Sequence, residues 1–270
     1  MSPSIAFIGG GQMASAIIGG LLAGGTRADE LVVVEPLDVA REQLLTRFGV
    51  RAHPVPGAFL QDCAVVVWAV KPQTFRDAAA LTQSHTRNAL HLSVAAGIRS
   101  DTLAQWLHSE RIVRAMPNTP ALIGQGISGL FARSAVTPAD KGQVDALMAC
   151  TGEAIWLDDE THMDAVTALS GSGPAYVFFF LEAMRDAGVA MGLGSQQAYQ
   201  LAVATFAGAS ALAAASADGP EMLRQRVTSK GGTTFAALGV MESSGIKPAF
   251  EAAMEAARAR AAQMGSEFGA

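Results

Sequence analysis

The 270-residue chain predicts an α/β fold, with a doubly wound parallel sheet over residues 1–158 followed by an all-helical domain over residues 159–270. Three observations carry that reading. Short β-branched runs alternate with helix-length amphipathic segments through the first half. A glycine-rich turn closes the first of those runs. Past the acidic turn Asp158-Asp159-Glu160, strand-like runs give way to Ala, Met, Leu and Gln at helical spacing.

The runs at 5–9, 31–35, 64–69, 90–94 and 112–116 are nearly continuous in apolar residues, as in strands buried on both faces. Residues 13–22, 38–47 and 100–107 read as intervening helices in right-handed crossovers. Thr137-Pro138-Ala139-Asp140 marks a further helix start, with Thr as N-cap, Pro at the first helical position and Asp in the first turn. A last short strand is expected at 153–157. In the second half, Gly173-Pro174, 192–195, Gly219-Pro220, 230–234 and 245–248 punctuate the helices. The helix at 199–217 carries small apolar residues on most of its faces, more than one packing stripe needs. Burial against a second subunit is expected, with a fully internal helix as the alternative.

Half the residues are hydrophobic, 16% are charged and the net charge is -5, which excludes a disordered chain and an electrostatically driven nucleic-acid binder. Cys63 and Cys150 cannot make a disulfide framework and suit a reducing cytoplasm. The five histidines show no metal-ligand spacing, so no metal is expected, and neither a G-x-S-x-G elbow nor a P-loop is present. Residues 198–217 are too weakly hydrophobic for a membrane span, so no membrane partner is expected. Met1-Ser2-Pro3-Ser4 carries no basic run ahead of the first strand, which argues against a secretory leader.

Gly9-Gly10-Gly11-Gln12-Met13-Ala14 follows Ile8 at the end of the first strand and opens a helix, with Glu35 ending the second strand about 20 residues beyond. This is a Rossmann-like dinucleotide fingerprint. Gly9 allows the tight turn, Gly11 lets a pyrophosphate approach the backbone, and Ala14 permits close packing of helix on strand. The helix N-terminus adds free N–H groups and partial positive charge. Ala69-Val70-Lys71-Pro72 and Ala95-Ala96-Gly97 each follow a strand's carboxyl end, where ligands sit in open α/β sheets, and their small residues suit a flat nicotinamide ring. Lys71 is either a cofactor neighbour or a surface charge. Residues 114–120 either border the cofactor in the same way or only shape an exit loop. Further on, Val227-Thr228-Ser229-Lys230-Gly231-Gly232-Thr233-Thr234 is either a backbone cradle for a carboxylate or a hydroxyl-rich helix cap.

Residues 7–14, 69–73, 116–120, 227–234 and above all Asp164-Ala165-Val166-Thr167-Ala168-Leu169-Ser170-Gly171-Ser172-Gly173-Pro174-Ala175-Tyr176 together resemble the pyrroline-5-carboxylate reductase family, nearly end to end. The resemblance implies NAD(P)H-dependent reduction of L-1-pyrroline-5-carboxylate to L-proline, the last step of proline synthesis. It also implies a homodimer with interlocked helical domains, often assembled into a decamer. By resemblance, the Thr234 hydroxyl serves the substrate nitrogen, the N–H groups of Gly232, Thr233 and Thr234 hold the carboxylate, and Glu160 lies near the substrate, with Ser229 and Gly231 in the same loop. Two positions depart from the family pattern. Lys230 stands where Pro is usual, and Pro56 stands where an Asn commonly contacts the cofactor.

Glu35 favours NADH over NADPH, since a carboxylate there hydrogen-bonds ribose hydroxyls and repels a 2'-phosphate. If Glu35 swings into solvent, both cofactors bind, and Arg41 or Arg226 is the cation expected to meet the phosphate. An imine reductase or β-hydroxyacid dehydrogenase on the same two-domain plan is the alternative enzyme. Those enzymes call for a helix Lys or Asp at the nicotinamide, and residues 164–187 offer no lysine. A non-catalytic cofactor sensor has no need of the loop at 231–234.

Overall fold

A computed structural model describes residues 4–268. Met1, Ser2 and Pro3, which carry most of the reading of the N-terminus, lie outside the described residues. Eight strands, β1 (Ser4–Ile8), β2 (Leu31–Val34), β3 (Ala52–His53), β4 (Cys63–Trp68), β5 (Leu90–Ser93), β6 (Ile112–Met116), β7 (Gly126–Ala132) and β8 (Gly152–Leu157), form one sheet in the order β3-β2-β1-β4-β5-β6-β7-β8. Every neighbouring pair is parallel except β6 and β7.

The helices are α1 (Gln12–Ala23), α2 (Asp38–Phe48), α3 (Pro72–Thr82), α4 (Ser100–Leu107), α5 (Pro138–Met148), α6 (His162–Val166), α7 (Gly173–Ala190), α8 (Ser195–Ala214), α9 (Pro220–Arg226), α10 (Thr233–Ser243) and α11 (Ile246–Phe268). The continuous apolar strands are explained by helices on both faces. Phe7 packs with Ile17, Leu44 and Val144 from α1, α2 and α5, whereas its neighbours Ala6 and Ile8 pack with Phe75 and Leu103 from α3 and α4. At the start of α5 the Thr137 hydroxyl accepts from Asp140 N–H and the Asp140 carboxylate accepts from Thr137 N–H, so that helix begins where the sequence places it.

β3 and β7 are additions to the expected strands, and β7 makes the one antiparallel step among the described residues. Its sequence, Gly-Ile-Ser-Gly-Leu-Phe-Ala, lacks a β-branched run because neighbours crowd it. A Cβ on Gly129 would lie 2.7 Å from Val166 Cγ1, and one on Gly126 would lie 2.8 Å from Thr151 O.

The compact units also differ from the expected division at 158. One runs to Pro174 and takes in the residues from Ala257 onward; the other is Ala175–Ala256. The change of residue pattern at 158 records where strands stop, not where packing stops. α6 lies on β7 through Val166, and Gly171 abuts Met116 of β6. The second unit is all helix, with Leu181, Ala198 and Ala202 buried, Gly188 against Ala198, and Tyr176 and Phe180 set edge-on to Phe250. Phe178, Phe179, Leu201, Leu212, Phe235 and Val240 remain exposed on this unit. None of the helices, among the described residues, is long and apolar enough to cross a membrane.

Candidate active site

The order of strands reverses between β1 and β4, the place where ligands collect in such sheets. Ile8 lies opposite both Val34 and Trp68, and Trp68 opposite Ser93, so the carboxyl ends of β1, β2, β4 and β5 stop level with one another. Gly9 leaves β1 at φ +96, and a Cβ there would meet Ala69 O at 2.7 Å. At Gly10 a Cβ would come within 2.7 Å of Leu44 Cδ1, a demand that the fingerprint alone does not express. At Gly11 a Cβ would meet nothing within 4 Å. Gly11 is the N-cap of α1 and offers no side-chain cap; the first helical bond runs from Ser15 N–H to Gly11 O, at 2.9 Å. The N–H groups of Gln12, Met13 and Ala14 are left without a helical acceptor beside open space. That combination fits a nucleotide's pyrophosphate.

Glu35 does not swing into solvent. Its carboxylate is buried, accepting from Gly10 N–H at 2.8 Å through Oε2 and from Leu37 N–H at 2.8 Å through Oε1. The glycine turn and the β2–α2 turn are thereby tied to one carboxylate. Arg41 folds over the same turn, donating from Nη1 to Glu35 O at 2.9 Å and Pro36 O at 2.7 Å, while its Nη2 pairs with Asp38. Asp38 offsets the Arg41 charge, so the Glu35 charge is not cancelled by its neighbours in this turn.

After β4, Ala69 and Val70 are half-buried, Lys71 is the exposed N-cap of α3 and Pro72 its first residue. After β5, Ala95 is buried, Ala96 half-buried, and Gly97 turns at φ +80. Both segments follow strands on the level row. Asn118, beyond β6, is spent on structure, its Oδ1 accepting from Ile127 N–H at 3.0 Å.

Glu160 is held in a polar knot. Its Oε1 accepts from Ser100 N–H and from Arg114 Nη1, and its Oε2 from the Ser100 hydroxyl, each at 2.6 Å. Arg114 is buried in β6, and Arg133 also reaches the Ser100 hydroxyl, at 3.2 Å. This partnership was not foreseen, although one arginine inside the apolar run 112–116 demands a buried counter-charge.

In the helical unit, Gly231 turns at φ +73 and Gly232 is the N-cap of α10. Gly232 N–H closes the turn on Ser229 O at 3.0 Å. The first helical bond of α10 is from Ala236 N–H to Gly232 O, so Thr233, Thr234 and Phe235 present the N–H groups without a helical acceptor. Thr234 is half-buried, while Ser229, Lys230 and Thr233 are exposed. Arg226 pairs with Asp218 across α9. Burial pushes the Cys63 thiol up to about 11 and raises that of Cys150, so neither is a thiolate nucleophile near neutral pH. Among the described residues, no group of three or more His, Cys, Asp or Glu is placed to hold a metal ion.

Residues 160–264 match the family "pyrroline-5-carboxylate reductase dimerisation", and residues 4–97 match the family "NADP oxidoreductase coenzyme F420-dependent". A pyrroline-5-carboxylate reductase of Pseudomonas aeruginosa is 42% identical over 270 residues, 99% of each chain. The chain belongs to the pyrroline-5-carboxylate reductase family. A solved pyrroline-5-carboxylate reductase from Coxiella burnetii superposes with a TM-score of 0.89 at 34% identity, over 98% of this chain and 99% of that one. A Plasmodium falciparum pyrroline carboxylate reductase with NADP bound gives 0.87 at 28% identity, over 98% of each chain. A nicotinamide-nucleotide domain thus precedes a dimerisation segment of the pyrroline-5-carboxylate reductase family, in which the exposed apolar faces of α7, α8 and α10 lie.

Proposed function

We propose that the protein reduces the carbon–nitrogen double bond of L-1-pyrroline-5-carboxylate with a nicotinamide cofactor, giving L-proline as the last step of its synthesis. The observation that carries this reading is the open α1 N-terminus behind Gly11, at the switch point of a chain similar end to end to pyrroline-5-carboxylate reductases. Residues 1–158 serve the nucleotide, and residues 159–270 serve substrate and dimerisation. Ile8 to Ala14 hold the pyrophosphate, Glu35 the ribose, and Ala69, Val70, Lys71, Pro72, Ala95, Ala96 and Gly97 border the nicotinamide, with Arg226 as a further cofactor contact. The reduced nicotinamide supplies, when bound, the hydride that the C=N carbon accepts.

The chain's own residues do the rest. Thr233 and Thr234 N–H groups hold the carboxylate at the start of α10, and Ser229, Gly231 and Gly232 shape that turn. The Thr234 hydroxyl donates to the ring nitrogen as it becomes an amine, stabilising charge where it changes. Glu160, fixed by Arg114 and Ser100, stands near the substrate.

NADH is the preferred cofactor in this reading. Glu35 is pinned by Gly10 and Leu37, so a 2'-phosphate would meet a fixed negative charge. At about 4 Å the repulsion is about 1 to 4 kcal/mol before salt screening. The functional unit is a homodimer in the cytoplasm, with assembly into a decamer proposed from the resemblance. Incubation with L-1-pyrroline-5-carboxylate and each cofactor tests the activity: L-proline forms, with a lower Michaelis constant for NADH, and Glu35→Ser shifts the preference towards NADPH. Equal or tighter NADPH binding by the unmodified protein contradicts the cofactor assignment, and absence of proline contradicts the activity.

A further inference from the structure

The loop between β5 and α4 is clamped at two places. At its far end, Glu160 fills the N–H and hydroxyl of Ser100. At its apex, Gly97 meets the last turns of α11. A Cβ on Gly97 would lie 3.0 Å from Met264 Cβ and 3.5 Å from Phe268 Cδ2, and a Cβ on Gly265 would lie 3.1 Å from Gly97 O and 3.7 Å from Arg99 Cγ. Gly265 and Ala261 are buried, and Phe268 packs against the core on the α3 and α4 face of the sheet. Two glycines facing each other let a helix backbone and a loop carbonyl approach with no side chain between them.

We propose that Gly265 is a positioning residue, through which the end of α11 sets the Ala95–Gly97 segment against the nicotinamide half of the cofactor. The proposal rests on the reading that this segment borders the nicotinamide. Its physical basis is that a carbonyl pressed by a helix has no slack: a methyl on Gly265 makes the loop give by a few tenths of an ångström, and misplacements of that order change binding and alignment of a reacting ring. A purely structural role predicts an unchanged NADH constant. Alanine is the better helix former, so Gly265→Ala supports α11 and leaves or raises the melting temperature.

The test is Gly265→Ala in the full chain, measured by thermal melting, by the Michaelis constants of both substrates, and by NADH fluorescence on binding. The proposal expects the NADH constant to rise about three- to tenfold with an unchanged or higher melting temperature, and the pyrroline substrate's constant to stay within about twofold. Ala96→Val, in the loop itself, separates the two layers of argument. If it raises the NADH constant and Gly265→Ala does not, the positioning role is overturned. If neither does, the reading of the loop as a cofactor border is overturned, and the proposal with it. Should Gly265→Ala fail to fold, Met264→Ala removes the part of the α11 side chain beyond Cβ that lies beside Gly97, and an unchanged NADH constant in that variant overturns the positioning role.

Discussion

At Gly11 the backbone has φ -71 and a methyl would touch nothing, so alanine is compatible with the fold. The same methyl would stand in the space assigned to a pyrophosphate. Gly11→Ala is therefore expected to leave the melting temperature unchanged while raising the cofactor's Michaelis constant about 10- to 100-fold, equivalent to about 1.4 to 3 kcal/mol. Steady-state kinetics alongside a thermal melt checks this, and unchanged cofactor kinetics would remove Gly11 from the site. Thr234→Ala acts on chemistry instead. A positioned hydroxyl orients and stabilises without a strongly shifted pKa, so turnover is expected to fall roughly 10- to 1000-fold without vanishing. Full activity in that variant would end the assignment. At this scale the sequence showed which residues matter but not what holds them. Glu35 was legible at the end of a strand; its bond to Gly10 N–H, 25 positions away, depends on a turn geometry that no spacing rule expresses.

Among the elements, β5 carries an acid sensitivity. His91 is wholly buried and accepts from Trp68 Nε1 at 3.0 Å through Nδ1, a bond that requires the neutral ring. Burial, with Arg111 adding to it, lowers its pKa from 6.5 to about 4. The unfolded chain thus takes up the proton first. Stability falls as pH drops from 6.5 to about 4, by about 3 kcal/mol in all, with no further loss from this group below that. Urea unfolding across that window checks the slope, and His91→Leu is expected to flatten this part of it while costing stability at pH 7, since Trp68 loses its acceptor. An equally steep slope in the variant would place the sensitivity elsewhere. Strands β1, β2, β4, β5 and β6 were legible because apolar runs buried on two faces leave a continuous signal, whereas β8, an edge strand with no buried residue, was legible only as a short run. β7 was not, since Gly126 and Gly129 are there to admit Thr151 O and Val166. A strand made of what its neighbours exclude carries no propensity of its own.

For the molecule as a whole, the change of pattern at 158 and the compact units describe different things, because a helix can still pack on the sheet after the strands have ended. The need for a partner was legible in the small apolar faces around 199–217, and the structure extends it to α7 and α10, where Phe178, Phe179, Phe235 and Val240 stay exposed on a unit only 82 residues long. Dimerisation and activity are therefore expected to be lost together on dilution, with light scattering at the assay concentration as the check; a fully active monomer would refute the dependence. The central claim is hydride transfer to an imine carbon. Its most direct measurement supplies NADH deuterated at the transferable position together with L-1-pyrroline-5-carboxylate, and locates the label in the product by mass spectrometry and NMR. One deuterium in each L-proline, on the ring carbon next to nitrogen that does not bear the carboxylate, is the expected result. NADH left unconsumed, or proline formed without the label, would contradict it.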